Sequence, residues 1–192
     1  VLARALGETL PRLAEACAAM DIRTTLADKQ LKAKGKVEAI AKMLLDGRLV
    51  VGELISVAGH SNDKEKGTCI EALEFATRAQ PTLASAACLD YVVASLLDEA
   101  PRVKWESAKV VANIAHLYPE RLADAVKNLL ANAEHAGTVV RWSAARALAE
   151  IVKLRTMHNR TLVPAIEAIL KHHDEDTAIV KIYQSALTKA KA

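Results

Sequence analysis

The densest run of ionisable side chains is His172-His173-Asp174-Glu175-Asp176, residue types that ligate divalent metals. Adjacent side chains on a helix point about 100° apart, so they do not readily converge on one ion. The run reads instead as a junction between two helices. Its histidines suit the negative end of one helix and its acids the positive end of the next. Trp105 and Trp142, each near basic residues, are the aromatic groups that could meet a nucleic-acid base. Cys17, Cys69 and Cys88 are odd in number and form no Cys-x-x-Cys pair, so neither a disulfide framework nor a structural zinc site is expected. Glycine-rich phosphate loops, a His-Glu-x-x-His helix and a Gly-x-Ser-x-Gly elbow are all missing from the sequence. No catalytic residue, cofactor or metal is therefore expected.

These side chains belong to a repeating framework. Residues Val103 to Ile114 align with Val140 to Ile151 at an offset of 37 without a gap, matching Val, Trp, two Ala and Ile and conserving two basic positions. An offset of 36 places Cys69, Ala72, Phe75, Ala76 and Ala79 over Trp105, Ala108, Val111, Ala112 and Ala115. A poorer copy, offset by about 41, sets Tyr183, Ala186 and Ala190 in the same slots. Steps of three and four residues make each segment an amphipathic helix, and both tryptophans are expected on its apolar stripe as packing residues. Second helices follow at Leu122, Val126, Leu129 and Leu130 and at Leu162, Ile166, Ile169 and Leu170, with Pro119 and Asn159 as starting signals. Alanines at the crossings let helix axes approach closely, and stacked pairs cover the apolar faces a single pair leaves open.

Residues 1–60 are less regular. Leu2, Leu6, Leu13, Ala16, Cys17 and Met20 have helical spacing, Val37 to Leu45 form a helix between Gly35 and Gly47, and Leu49 to Val57 form another ending near Gly59. They read as capping helices that continue one stack, giving a single domain over 1–192 with regular repeats over 61–192.

From roughly Asn62 to Ala192 the pattern resembles the HEAT/armadillo class of helical repeats. Val103-Lys104 and Val140-Arg141, followed by alanines, look like the Val-Arg opening of that class's first helix. The copy around Cys69 departs from it, with Thr68 in the basic slot. The resemblance implies an all-α, right-handed superhelix of about five antiparallel helix pairs. It also implies an acid–base ladder along the stack, here Asp98 with Lys104, Glu134 with Arg141 and Glu175 with Lys181. The class's second helices would line a concave face, presenting Tyr91, Ser95, Lys127, Asn128, Glu167 and Lys171. The expected function is a non-catalytic scaffold that holds a protein or peptide.

The alternative is nucleic-acid binding by the C-terminal half. Residues 102–192 carry 14 basic and 9 acidic side chains, whereas 1–101 carry 12 and 14. Helical-repeat DNA alkylation-repair glycosylases share the general architecture, but their Trp–Asp constellation is not present. The overall charge of +3 is mild for a nucleic-acid binder. A chain that is 52% hydrophobic and 3% aromatic, with 7 Gly and 5 Pro, excludes disorder and favours helices closely packed through small side chains. The stretch Leu49 to Ala58 is far short of a membrane span and contains Glu53, and no signal peptide is apparent. A reducing cytoplasm is the expected setting, with no membrane partner.

Overall fold

The computed structural model describes residues 22–172 and 177–191, so the helix expected from Leu2 to Met20 lies outside the described residues. After a helical segment over 22–27, the chain forms α1 (Ala33–Leu45), α2 (Val51–Gly59), α3 (Asp63–Ala79), α4 (Ala86–Ser95) and α5 (Pro101–Ile114). It continues through α6 (Ala123–Ala133), α7 (Thr138–Lys153), α8 (Asn159–His172) and α9 (Thr177–Lys191). Among the described residues there is no strand. No helix among them is long and apolar enough to cross a membrane. The fold is an all-α solenoid.

Two rows build it. Helices α1, α3, α5, α7 and α9 lie each against the next, and α2, α4, α6 and α8 form a second row packed on the first. Successive helices of the second row touch sparsely. The close contacts of the first row run through alanine. Ala72, Ala76, Ala108, Ala144, Ala145 and Ala149 are no more than 3% exposed, and a larger side chain there would push the axes apart. Leu89, Leu96, Leu122, Leu129, Leu162 and Ile166 fill the space between rows.

Burial tests the repeat position by position. At the offset of 37, Val103 and Val140, Ser107 and Ala144, Val110 and Ala147, and Ile114 and Ile151 are all buried. Trp105 and Trp142 are both half-buried. The tryptophans are thus packing residues at the edge of the core, Trp142 lying against it, with part of each ring left open. The other two offsets need correcting by two residues. An offset of 36 matches half-buried Phe75 to fully buried Val111, whereas 38 brings Glu71, Phe75 and Arg78 onto Lys109, Asn113 and His116, all partly or fully exposed. It also puts Lys66, not Thr68, in the basic slot of Lys104. For α9, an offset of 39 replaces 41 and sets Lys181, not the buried Tyr183, opposite Trp142. Alanine-rich helices match themselves at several neighbouring shifts, so identity alone did not fix the register.

Polar ties cross from copy to copy. Lys66 Nζ reaches Asp98 at 2.6 Å, so Asp98 pairs with the preceding copy, while Lys104 donates to the carbonyl of Leu96. Burial raises the Asp98 pKa, but bonds from Lys66 and the Ala100 amide outweigh it and hold the carboxyl below its ordinary value. Arg102 meets Glu71 at 2.5 Å and lies over Gly67, where an added Cβ would come within 3.1 Å of the arginine Cδ. Arg141 donates to the carbonyls of His135 and Ala136, and Glu175 of the expected ladder lies outside the described residues.

Helix ends follow local chemistry, with two departures. Asn62 and Ser85 accept from the amides of Glu65 and Cys88 as N-caps. Gly47, at φ +71°, makes the left-handed turn after α1. Pro119 opens a 3-10 turn ahead of α6 rather than the helix itself. Asn159 does not accept at the head of α8; its amide donates to the carbonyl of Val152 at 2.9 Å, tying α8 to the end of α7. Pro164 sits inside α8, where it removes a backbone hydrogen bond.

These assignments separate two substitutions. Leu148→Ala, at a side chain that is 0% exposed, should cost about 2–5 kcal/mol. Trp142→Ala, at a half-open ring, should cost about 1–2 kcal/mol. Urea unfolding of both variants checks this; equal losses would return the indole to the core.

Candidate binding face

Each inner helix of the first row has neighbours on both sides and a second-row helix beneath, leaving one stripe open. On α3 it carries Glu71, Phe75 and Arg78, and on α5 it carries Arg102, Trp105, Lys109 and Asn113. On α7 it carries Trp142, Arg146, Glu150 and Lys153, and on α9 Lys181, Ile182 and Ser185 border the adjoining groove. The sequence's single Phe and both of its Trp lie along this ribbon. Arg78 stacks over Phe75 at 4.6 Å from the ring centroid, and Arg146 lies 5.8 Å from that of Trp142.

Between α3 and α5 the ribbon is held by buried charge. Glu106, 4% exposed, accepts from Trp105 Nε1 at 2.7 Å and from Lys109 Nζ at 2.8 Å. Lys109 is also 3.8 Å from Glu74, which is 2% exposed and whose Oε2 has no hydrogen-bond partner. Asn113 donates to the carbonyl of Glu74 and to Thr77 Oγ1. Desolvation pushes the Glu106 pKa up, against the opposing pull of Lys109 and the Trp105 indole. The indole is thereby fixed in orientation by a carboxylate below it.

Grooves open on this row among the described residues. One, of about 600 Å³, lies between α1 and α3 and is lined by Glu38, Lys42, Asp46, Phe75 and Arg78. Another, of about 390 Å³, lies between α7 and α9, with Trp142, Arg146, Glu150, Lys153, Lys181 and Ile182 on its walls. A third, of about 440 Å³, is on the second row between α4 and α6, where Arg121 and Asp90 are paired at 2.9 Å.

The side chains expected to form a face on the second helices are spread over α4, α6 and α8. Lys127 and Lys171 are exposed, while Tyr91 and Glu167 are half-buried. Ser95 and Asn128 are buried at 5% and 8% exposure. Asn128 donates to the carbonyl of Val93 and its neighbour Asn132 to that of Leu96. Both fasten α6 to the C-terminal end of α4, the Leu96 carbonyl being shared with Lys104. Burial pushes the Tyr91 hydroxyl up to about 12. Sequence reasoning missed the ribbon because a narrow open stripe has the same three-and-four spacing as an apolar one. The signal was a cation four residues after each tryptophan, Lys109 and Arg146.

Among the described residues no group of three His, Cys, Asp or Glu side chains is placed to hold a metal ion. His172 closes α8, and residues 173–176 of the His–Asp run lie outside the described residues. Cys69 and Cys88 are 0% exposed, and desolvation pushes each thiol up to about 12, which suits packing and opposes nucleophilic use.

Two outcomes follow. In a Cys17→Ser background, neither remaining thiol should react with a disulfide reagent until the chain unfolds; rapid colour development in buffer would contradict this burial. Glu106, with its folded pKa above the unfolded value of 4.5, binds protons more readily folded than unfolded, so its contribution to stability improves as pH falls through that window. Glu106→Gln should remove that part of the pH dependence in melting experiments, and an unchanged profile would contradict the assignment.

No family model matches the sequence, and no curated protein does. Solved structures do. A designed armadillo repeat protein in complex with the peptide (KR)4 superposes with a TM-score of 0.70 at 20% identity, over 95% of this chain and 86% of that one. Computationally designed armadillo repeat proteins for modular peptide recognition give 0.68 at 22% identity, over 95% and 86%. An engineered protein gives 0.69 at 20% identity over 91% of this chain, which spans about half of it, 48%. At such identities the likeness is one of backbone architecture, and it agrees with the two packed rows. The chain has an armadillo/HEAT-like helical-repeat fold.

Proposed function

We propose that the protein is a non-catalytic scaffold that holds an extended peptide along the open ribbon of the first row. The observation that carries this is the placement of Phe75, Trp105 and Trp142, half-exposed on three successive helices of one face. Rings held part-way into a packed support lose little entropy on binding, and their remaining exposed edges add apolar area when a partner covers them. The helices of the first row pack on one another more closely than those of the second, which supports placing this ribbon on the inner side of a curved stack. This moves the proposed surface from the second helices to the first. The complex of a designed armadillo protein with a peptide supports the same use of this architecture. The buried, reduced thiols Cys69 and Cys88 fit the reducing compartment expected from the sequence.

Peptides selected from a random library against the folded protein test this reading. In proton–nitrogen NMR spectra, bound peptides should shift the indole signals of Trp105 or Trp142 and leave Asp124 and Lys127 on α6 unmoved. Shifts confined to Asp90, Arg121, Asp124 and Lys127 would place binding on the other row and sink it.

A further inference from the structure

The grooves of the ribbon differ in charge balance. In the α1–α3 groove the cations are matched: Lys42 is 2.9 Å from Asp46, and Arg78 is 3.7 Å from Glu74. In the α7–α9 groove Glu150 is matched to Lys153 at 2.7 Å, which leaves Arg146 and Lys181 with no carboxylate partner among the described residues. Both are exposed, on opposite walls of the same groove. The same groove is lined in part by apolar groups, Trp142, Ala149 and Ile182. We infer that this groove receives an acidic residue of an extended peptide together with an apolar neighbour, the carboxylate lying between Arg146 and Lys181 and the apolar side chain against Trp142 and Ile182.

Charge complementarity selects the occupant. A carboxylate supplies the single negative group that two facing cations can share, and a guanidinium donates to it through paired N–H groups. A neighbouring apolar side chain excludes water from those bonds and strengthens them. A nucleic-acid strand fits less well, because it brings one phosphate per nucleotide and needs a continuous cation track. The ribbon instead interrupts its basic groups with acids, Glu150 in this groove and Glu71 on α3. The inference rests on the peptide-binding reading of this face and adds the sign of the ligand to it.

The test uses short fluorescent peptides alternating Glu with Leu, the same sequence with Lys or Ser in place of Glu, and a labelled DNA duplex, titrated by anisotropy at low and high salt. The Glu peptide should bind tightest and shift the Trp142 indole signal. Charge reversal by Arg146→Glu with Lys181→Glu should weaken it by about tenfold or more and improve the Lys peptide. Both positions are exposed, so the double variant should melt like the parent, and Lys127→Glu on the second row should change nothing. Equal affinity for the three peptides, or no effect of the double reversal, overturns the inference. Binding of the Lys peptide alone, with the Trp142 indole shifted, overturns the acidic assignment while keeping the peptide face. If no peptide moves either indole, the face itself is wrong. DNA that competes with the Glu peptide and is lost steeply with salt overturns the choice of a peptide.

Discussion

The close stacking of the long helices on one another is the constraint from which the rest follows. Alanine at positions such as 72, 108, 144 and 145 brings each helix within reach of two neighbours of its own row, and α2, α4, α6 and α8 cover a third side. A helix so enclosed has little surface left. On α5 and α7 what remains is one stripe, and every property of the face depends on which residues occupy it. Packing and recognition are therefore the same question asked of opposite sides of one helix.

Backbone groups freed at helix ends in such a stack must find partners, and the chain supplies them from the next copy. Asn128 and Asn132 reach back to α4, Tyr118 donates to the carbonyl of Ala84 at 2.6 Å, and Asn113 reaches Glu74 and Thr77. These bonds tie each copy to its neighbour side chain to backbone, and they fix how far one copy turns relative to the next. Charge pairs Lys66–Asp98 and Glu71–Arg102 do the same at the opposite ends of the helices. A face assembled across such joints is rigid before any ligand arrives, which lowers the ordering cost of binding.

The buried carboxylates beneath the ribbon have a positional role. Glu106 accepts hydrogen bonds from the indole N–H of Trp105 and the ammonium of Lys109, so one acid in the helix–helix seam sets the direction of two groups at the surface. Glu74 lies 3.8 Å from Lys109 and 3.7 Å from Arg78, so the seam's acids are matched by cations, whereas Arg146 and Lys181 at the α7–α9 end have no carboxylate partner among the described residues.

The sequence by itself determined the architecture. Helical periodicity, the 37-residue recurrence of Val103–Ile114 and the abundance of small residues leave stacked helix pairs as the one arrangement that buries every apolar stripe. Those signals are local, carried by residue type and spacing. Which side of each helix faces water was decided only in three dimensions, because a stripe left open among packed neighbours and a stripe turned inward share one period. Trp105, Trp142 and Phe75 therefore read as core by spacing yet are only half-buried, while Ser95 and Asn128 read as a polar surface yet are enclosed. The two-residue corrections at Lys66 and Lys181 have the same origin, since an alanine-rich pattern repeats nearly as well when shifted and only inter-helix contacts fix the register.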